Sequence, residues 1–166
     1  MLFKLFSTIE RLVGVEEVRA HCDIPCGIYD PHQAQIGALT VIRMLDLMDE
    51  LKAAHAPDSA QSQHSFARYI MVKEEHAELV KREVRVIFGD YFKKEHVEKW
   101  PELPELTHKI MQHASKARQT MDRQAAMDLL EAVNRFAEIF WESKNVQVKR
   151  VNAPYKPGSE IVYPVL

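Results

Sequence analysis

The 166-residue chain holds two cysteines, Cys22 and Cys26, and His21 stands directly before the first of them. Two thiolates and an imidazole this close together can close on one metal ion. The loop between the thiolates must then turn back on itself, and Pro25 and Gly27, on either side of Cys26, favour such a turn. Soft thiolates suit zinc, copper(I), nickel or an iron–sulfur cluster rather than magnesium or calcium. A structural zinc site ordinarily draws four side-chain ligands from two separated pairs. An iron–sulfur cluster ordinarily takes four cysteines. The chain offers neither set, so the site either borrows a distant ligand or uses backbone nitrogen. Nickel(II) and copper(II) favour square-planar nitrogen donors. A free N-terminal residue presents its amine, the next amide nitrogen and a side chain in one chelating plane. His21 could play that part only if the Ala20–His21 bond were cut. Two rival readings need no such cut: a thiolate metal-trafficking protein, and a redox protein in which Cys22 and Cys26 form a reversible disulfide.

The elements that must position this cluster follow from composition and periodicity. Hydrophobic residues make up 46% of the chain and charged residues 28%, the balance of one globular domain with a real core. The net charge of -2 disfavours a nucleic-acid binder. No apolar run approaches the length of a membrane span. Residues 1–20 carry Leu2, Leu5, Phe6, Ile9, Leu12 and Val13 at helical spacing. As a secretory signal this segment is poor, because Lys4, Glu10 and Arg11 break its apolar run, and a cytoplasmic location is expected.

Asp30-Pro31 reads as a helix start, with Asp30 as N-cap and Pro31 in the first turn. That helix should run to about residue 54 along Ile36, Leu39, Ile42, Leu45, Met48 and Leu51. A second is expected over 62–89, with Lys73, Glu74, Glu75, Glu78, Lys81 and Arg82 on its outer face and Gly89 at its end. Residues 90–104 form an aromatic connection, and further helices are expected over 104–118 and 122–143. Residues 145–166, with Pro154, Pro157 and Pro164, should be an extended tail that packs across a subunit interface or stays disordered. Four amphipathic helices on short connections cannot bury their stripes singly. The fold expected is all-α, an antiparallel four-helix bundle over 32–144 behind an irregular N-terminal metal-binding hook over 21–31.

The segment HCDIPCGIYDP resembles the nickel-binding hook of the nickel-containing superoxide dismutases, H-C-D-x-P-C-G-x-Y-D-P. His21, Cys22, Asp23, Pro25, Cys26, Gly27, Tyr29, Asp30 and Pro31 match it. The likeness continues in VKEEHAELVK, DYFK, the stretch from Glu95 to Leu106, and IFWESK, so it spans roughly residues 21–144. The resemblance implies that residues 1–20 are a propeptide removed by a processing peptidase. It implies that nickel is held by the His21 amine, the Cys22 amide nitrogen and the thiolates of Cys22 and Cys26, with the His21 imidazole as axial ligand in the oxidised state. It also implies homohexamers and the conversion of superoxide to dioxygen and hydrogen peroxide by Ni(II)/Ni(III) cycling.

By the same resemblance, Tyr29 and Tyr91 lie at the mouth of the nickel site, and Asp23 orders the hook through backbone hydrogen bonds. The bland reading of each tyrosine is packing. Two positions depart from the family pattern. A glutamate and an arginine that help fix the axial imidazole correspond to Gly37 and His76 here. Lys93, just after Tyr91, is a candidate for attracting the anionic substrate. The remaining histidines lack mutual ligand spacing and read as surface or capping residues.

Overall fold

The computed structural model describes residues 27–54 and 59–166. The expected N-terminal helix and the residues His21, Cys22, Asp23 and Cys26 lie outside the described residues. Four long helices carry the core: α1 His32–Ala54, α2 Ala60–Val86, α4 Leu103–Gln119 and α5 Arg123–Ser143. A short α3, Lys94–Lys99, lies between α2 and α4. The long helices pack in a ring, α1 on α2, α2 on α4, α4 on α5 and α5 back on α1. Ile42, Leu45 and Met48 from α1, Val80 and Val84 from α2, Ile110 from α4, and Leu129, Phe136 and Phe140 from α5 fill the centre. Each such side chain contributes about 1.5–3 kcal/mol by leaving water.

The caps explain the helix starts. The Asp30 carboxylate accepts from the His32 amide at 2.8 Å, so the Asp-Pro start of α1 is as expected. Ser59 caps α2, accepting from the Ser62 amide at 3.1 Å, and begins that helix slightly earlier than its apolar stripe suggests. Asp122 caps α5 by accepting from Gln124 and Ala125.

Three expectations are corrected. Gly89 does not end α2, and its φ is not left-handed. The chain instead widens into a π turn over Ile87–Tyr91, closed by Phe92 N–H donating to the Ile87 carbonyl at 3.2 Å. The connection after it is partly helical, since α3 falls inside it. Lys73 is not on the solvated face but buried, at 2% exposure. Its ammonium donates to the carbonyls of Ala117, Arg118 and Thr120, the C-terminal end of α4, where three orphan acceptors and the helix dipole favour a cation. Burial pushes its pKa down, against the opposing charge of Glu74.

Residues after α5 form a hairpin, β1 Val148–Asn152 antiparallel to β2 Glu160–Pro164, with Arg150 opposite Val162. The hairpin folds onto its own chain. Ile161 and Val162 are buried, and Arg150 bonds Glu138 at 2.6 Å and Glu131 at 2.8 Å on α5.

Candidate metal centre

The described chain begins at Gly27, whose φ of +71° is the left-handed conformation that glycine adopts without steric cost. Ile28 then points to solvent at 77% exposure, and Tyr29 turns inward against the core. Asp30 and Pro31 start α1. The last residues of the hook thus leave from the N-terminal end of α1.

Tyr29 and Tyr91 come together there, although 62 positions separate them in the chain. Their ring centroids are 5.7 Å apart and tilted by 51°. The π turn delivers Tyr91. A plain α-helical continuation would rotate the residues after Val86 differently, and the wider turn sets both Tyr91 and the buried Phe92 against Phe140, at 4.8 and 6.4 Å. His96 stacks on Tyr91 at 5.5 Å and 25°. His96 Nδ1 accepts from the Lys93 amide at 2.9 Å, so in the neutral ring the proton sits on Nε2.

The Tyr91 hydroxyl is 2.6 Å from Ser143 Oγ, and Ser143 Oγ is 2.6 Å from the Phe140 carbonyl. A carbonyl only accepts, so the single serine hydrogen goes to Phe140. Tyr91 must therefore donate to Ser143, which leaves its oxygen with acceptor capacity only.

Lys93 and its neighbours divide differently from the sequence expectation. Lys93 Nζ donates to the Asp90 carbonyl at 2.7 Å. The cation over the Tyr91 ring is Lys144, with Nζ 4.7 Å from the centroid. Ser143 and Lys144 were not singled out from sequence, whereas His96, read there as a surface or capping residue, does cap α3. A signal was present: Ser143 and Lys144 close the IFWESK block at the end of α5, and His96 lies five residues after Tyr91.

Gly37 and His76 meet across the α1–α2 contact. His76 Nδ1 donates to the Val72 carbonyl at 2.8 Å, inside its own helix. Among the described residues no cluster of three or more His, Cys, Asp or Glu side chains could hold a metal ion. The donor set of His21, Cys22 and Cys26 is the one in the chain whose chemistry fits a soft, nitrogen-accepting metal such as nickel.

A ring of long helices with Tyr29 and Tyr91 paired at the N-terminal end of α1 defines a helical protein of one class, and comparison with known proteins identifies it. The chain belongs to the nickel-containing superoxide dismutase family, whose model matches residues 16–144. It is similar to the nickel superoxide dismutase of Streptomyces coelicolor, at 39% identity over 127 residues, covering 76% of this chain and 90% of that protein. The corresponding Streptomyces seoulensis enzyme is 37% identical over 128 residues, covering 77% and 91%. Among solved structures, native nickel superoxide dismutase superposes with a TM-score of 0.64 at 38% identity, covering 75% of this chain and 99% of that one. A structure with nickel ligation of the oxidised state gives 0.65 at 37% identity, with the same coverage. No helix among the described residues is long and apolar enough to cross a membrane.

Proposed function

We propose that this chain converts superoxide to dioxygen and hydrogen peroxide at a nickel ion held by His21, Cys22 and Cys26. The observation that carries the reading is the family match over residues 16–144, with the complete hook pattern HCDIPCGIYDP inside it. When bound, nickel supplies one-electron exchange in both directions by moving between Ni(II) and Ni(III). The ligands make that possible. Anionic thiolates at Cys22 and Cys26 and a deprotonated amide at Cys22 would donate electron density to the metal and so stabilise the higher oxidation state. The His21 amine and imidazole would supply further nitrogen donors.

The tyrosine pair forms the mouth. Tyr29 and Tyr91 narrow the approach with two faces 5.7 Å apart. Tyr91 Oη donates its hydrogen bond to Ser143, so it accepts hydrogen bonds at the mouth and orients water or protonated product. Lys144 places positive charge beside the same ring and favours entry of an anion. Asp23 orders the hook.

The remaining parts of the reading follow the resemblance. Residues 1–20 are a propeptide whose removal frees the His21 amine. Residues 21–31 form the hook, and residues 32–144 form an antiparallel four-helix bundle. The active protein is a homohexamer. The ring of helix contacts supports the bundle, since each long helix touches two others.

The test is metal analysis with a superoxide assay on the parent and on Cys22→Ser and Cys26→Ser. The parent carries one nickel per chain and dismutates. Each variant loses dismutation, and both keep the helical circular dichroism of the parent. Full activity in either serine variant would overturn the ligand assignment.

A further inference from the structure

The hairpin over residues 148–164 lies beyond the stretch that the family model matches, which ends at residue 144. Its edge is closed by side chains of the helices. Val165 N–H bonds the Gln147 carbonyl, and Ala153 N–H bonds the Ser159 carbonyl. In an antiparallel ladder bonded and non-bonded pairs alternate, so the pairs Arg150/Val162 and Asn152/Glu160 are non-bonded ones. The backbone groups of Val162 and Glu160 therefore point away from β1, toward the helices. Gln35 meets the first of them. Val162 N–H donates to Gln35 Oε1 at 2.7 Å, and Gln35 Nε2 donates to the Val162 carbonyl at 3.0 Å. One side-chain amide thus satisfies both groups, as a neighbouring strand would. Asn134 Nδ2 donates to the Glu160 carbonyl at 2.9 Å.

The place matters more than the bonds. Gln35 is four residues past Pro31 and only 1% exposed. Tyr163, next to Val162, sets its ring 5.8 Å from the ring of His32, the first residue of α1. Asp30, His32, Gln35, Trp141, Val162 and Tyr163 line a half-open pocket of about 180 Å³ between α1, α5 and β2. β2 therefore grips the end of α1 from which the hook departs.

We propose that this hairpin is a clamp on the base of the hook, with Gln35 and Tyr163 as positioning residues that fix the direction in which residues 27–31 leave α1. The two bonds of Gln35 hold the first turn of α1 against β2. The Tyr163 ring blocks a swing of His32. Both act on the metal ligands only through the chain between Pro31 and Cys26. The proposal rests on the reading that residues 21–31 are the nickel hook.

The experiment uses amide hydrogen exchange on the full chain without metal, so it reads the clamp independently of nickel chemistry. Gln35→Leu keeps the volume and removes both bonds. Tyr163→Ala removes the ring contact, leaves the Gln35 bonds in place, and alters a residue that is only partly buried. Exchange of the bonded amides of His32 and Gln35 in the first turn of α1 is expected to rise about tenfold in Gln35→Leu and by a smaller factor in Tyr163→Ala, with the amides of α2 and α4 unchanged. In the chain beginning at His21 and loaded with nickel, the same variants alter the electron paramagnetic resonance signal of the oxidised metal at unchanged nickel content. Exchange of these two amides that stays at the parent rate in both variants, whether or not β2 itself loosens, would overturn the clamp. Loss of nickel binding in the parent with the exchange result intact would overturn the functional reading alone.

Discussion

Gly37 of α1 lies directly against the backbone of His76 on α2. A Cβ at position 37 would stand 3.2 Å from the His76 carbonyl oxygen and 2.8 Å from Val80 Cγ2. By the resemblance drawn from sequence, Gly37 and His76 take the places of a glutamate and an arginine. The missing carboxylate is thus tied to a close helix crossing, in which the absence of a side chain lets α1 and α2 approach. His76 turns its Nδ1 to its own helix and keeps Nε2 for other partners.

Gly37→Ala should therefore destabilise, although alanine is the better helix former by about 1 kcal/mol. Val80 is fully buried and β-branched, so it cannot rotate aside cheaply. Overpacking of this kind costs about 1–3 kcal/mol; less the propensity gain, a net loss of up to about 2 kcal/mol should lower the melting temperature by up to roughly 4–8 °C. Gly37→Glu should fall further rather than complete the family pair. A thermal melt of the two variants reads this, and a rise in melting temperature for Gly37→Ala would show that the crossing has slack.

Lys73→Met should cost about 2–4 kcal/mol, measured as the loss of unfolding free energy in urea. The methionine fills the same space and leaves the carbonyls of Ala117, Arg118 and Thr120 without their donor. An unchanged urea midpoint would mean that water replaces the ammonium at no cost.

Acid should loosen the hairpin from α5 through Glu138. Burial pushes its carboxyl up, but hydrogen bonds from Arg150 and Arg135 outweigh this and hold the pKa below the ordinary glutamate range. A lowered folded-state pKa means that the unfolded chain binds more protons. The stabilisation is therefore complete above the ordinary value of about 4.3 and is lost as pH falls through the lower folded one. Glu138→Gln should be less stable than the parent at neutral pH by about 1–3 kcal/mol. The difference in urea midpoint should shrink as pH falls below the ordinary glutamate value and through the lower folded one. A difference independent of pH would assign the loss to packing instead of charge.

Much of this was legible in the sequence, for reasons particular residues make plain. Asp30-Pro31 marked the start of α1 because an N-cap and a fixed φ act locally. The apolar stripes located the four long helices because burial follows the helical period. Tyr29 and Tyr91 entered through a resemblance, and their mutual contact depends on a π turn that no local pattern announces. Gly89 misled because a glycine near a helix end usually marks a cap. Lys73 misled because its partners, the last carbonyls of α4, are backbone groups on another helix and leave no trace in composition. Residues 145–166 were expected to be extended, and what stayed hidden was their pairing into a hairpin on their own chain, because the outward backbone groups of β2 are met by Gln35 and Asn134 far away in sequence.

The central claim is that the metal centre needs a free amine at His21. In the full-length chain that nitrogen is an amide whose lone pair is delocalised into the Ala20 carbonyl, so it cannot serve as a neutral amine donor. The most direct measurement compares the superoxide dismutation rate per bound nickel of two proteins, each checked by mass: the full-length chain made uncuttable by Ala20→Pro, and a chain that begins at His21. The chain beginning at His21 should dismutate without any peptidase, and the uncut chain should be nearly inactive. An uncut chain that dismutates as fast as the one beginning at His21 would contradict the account.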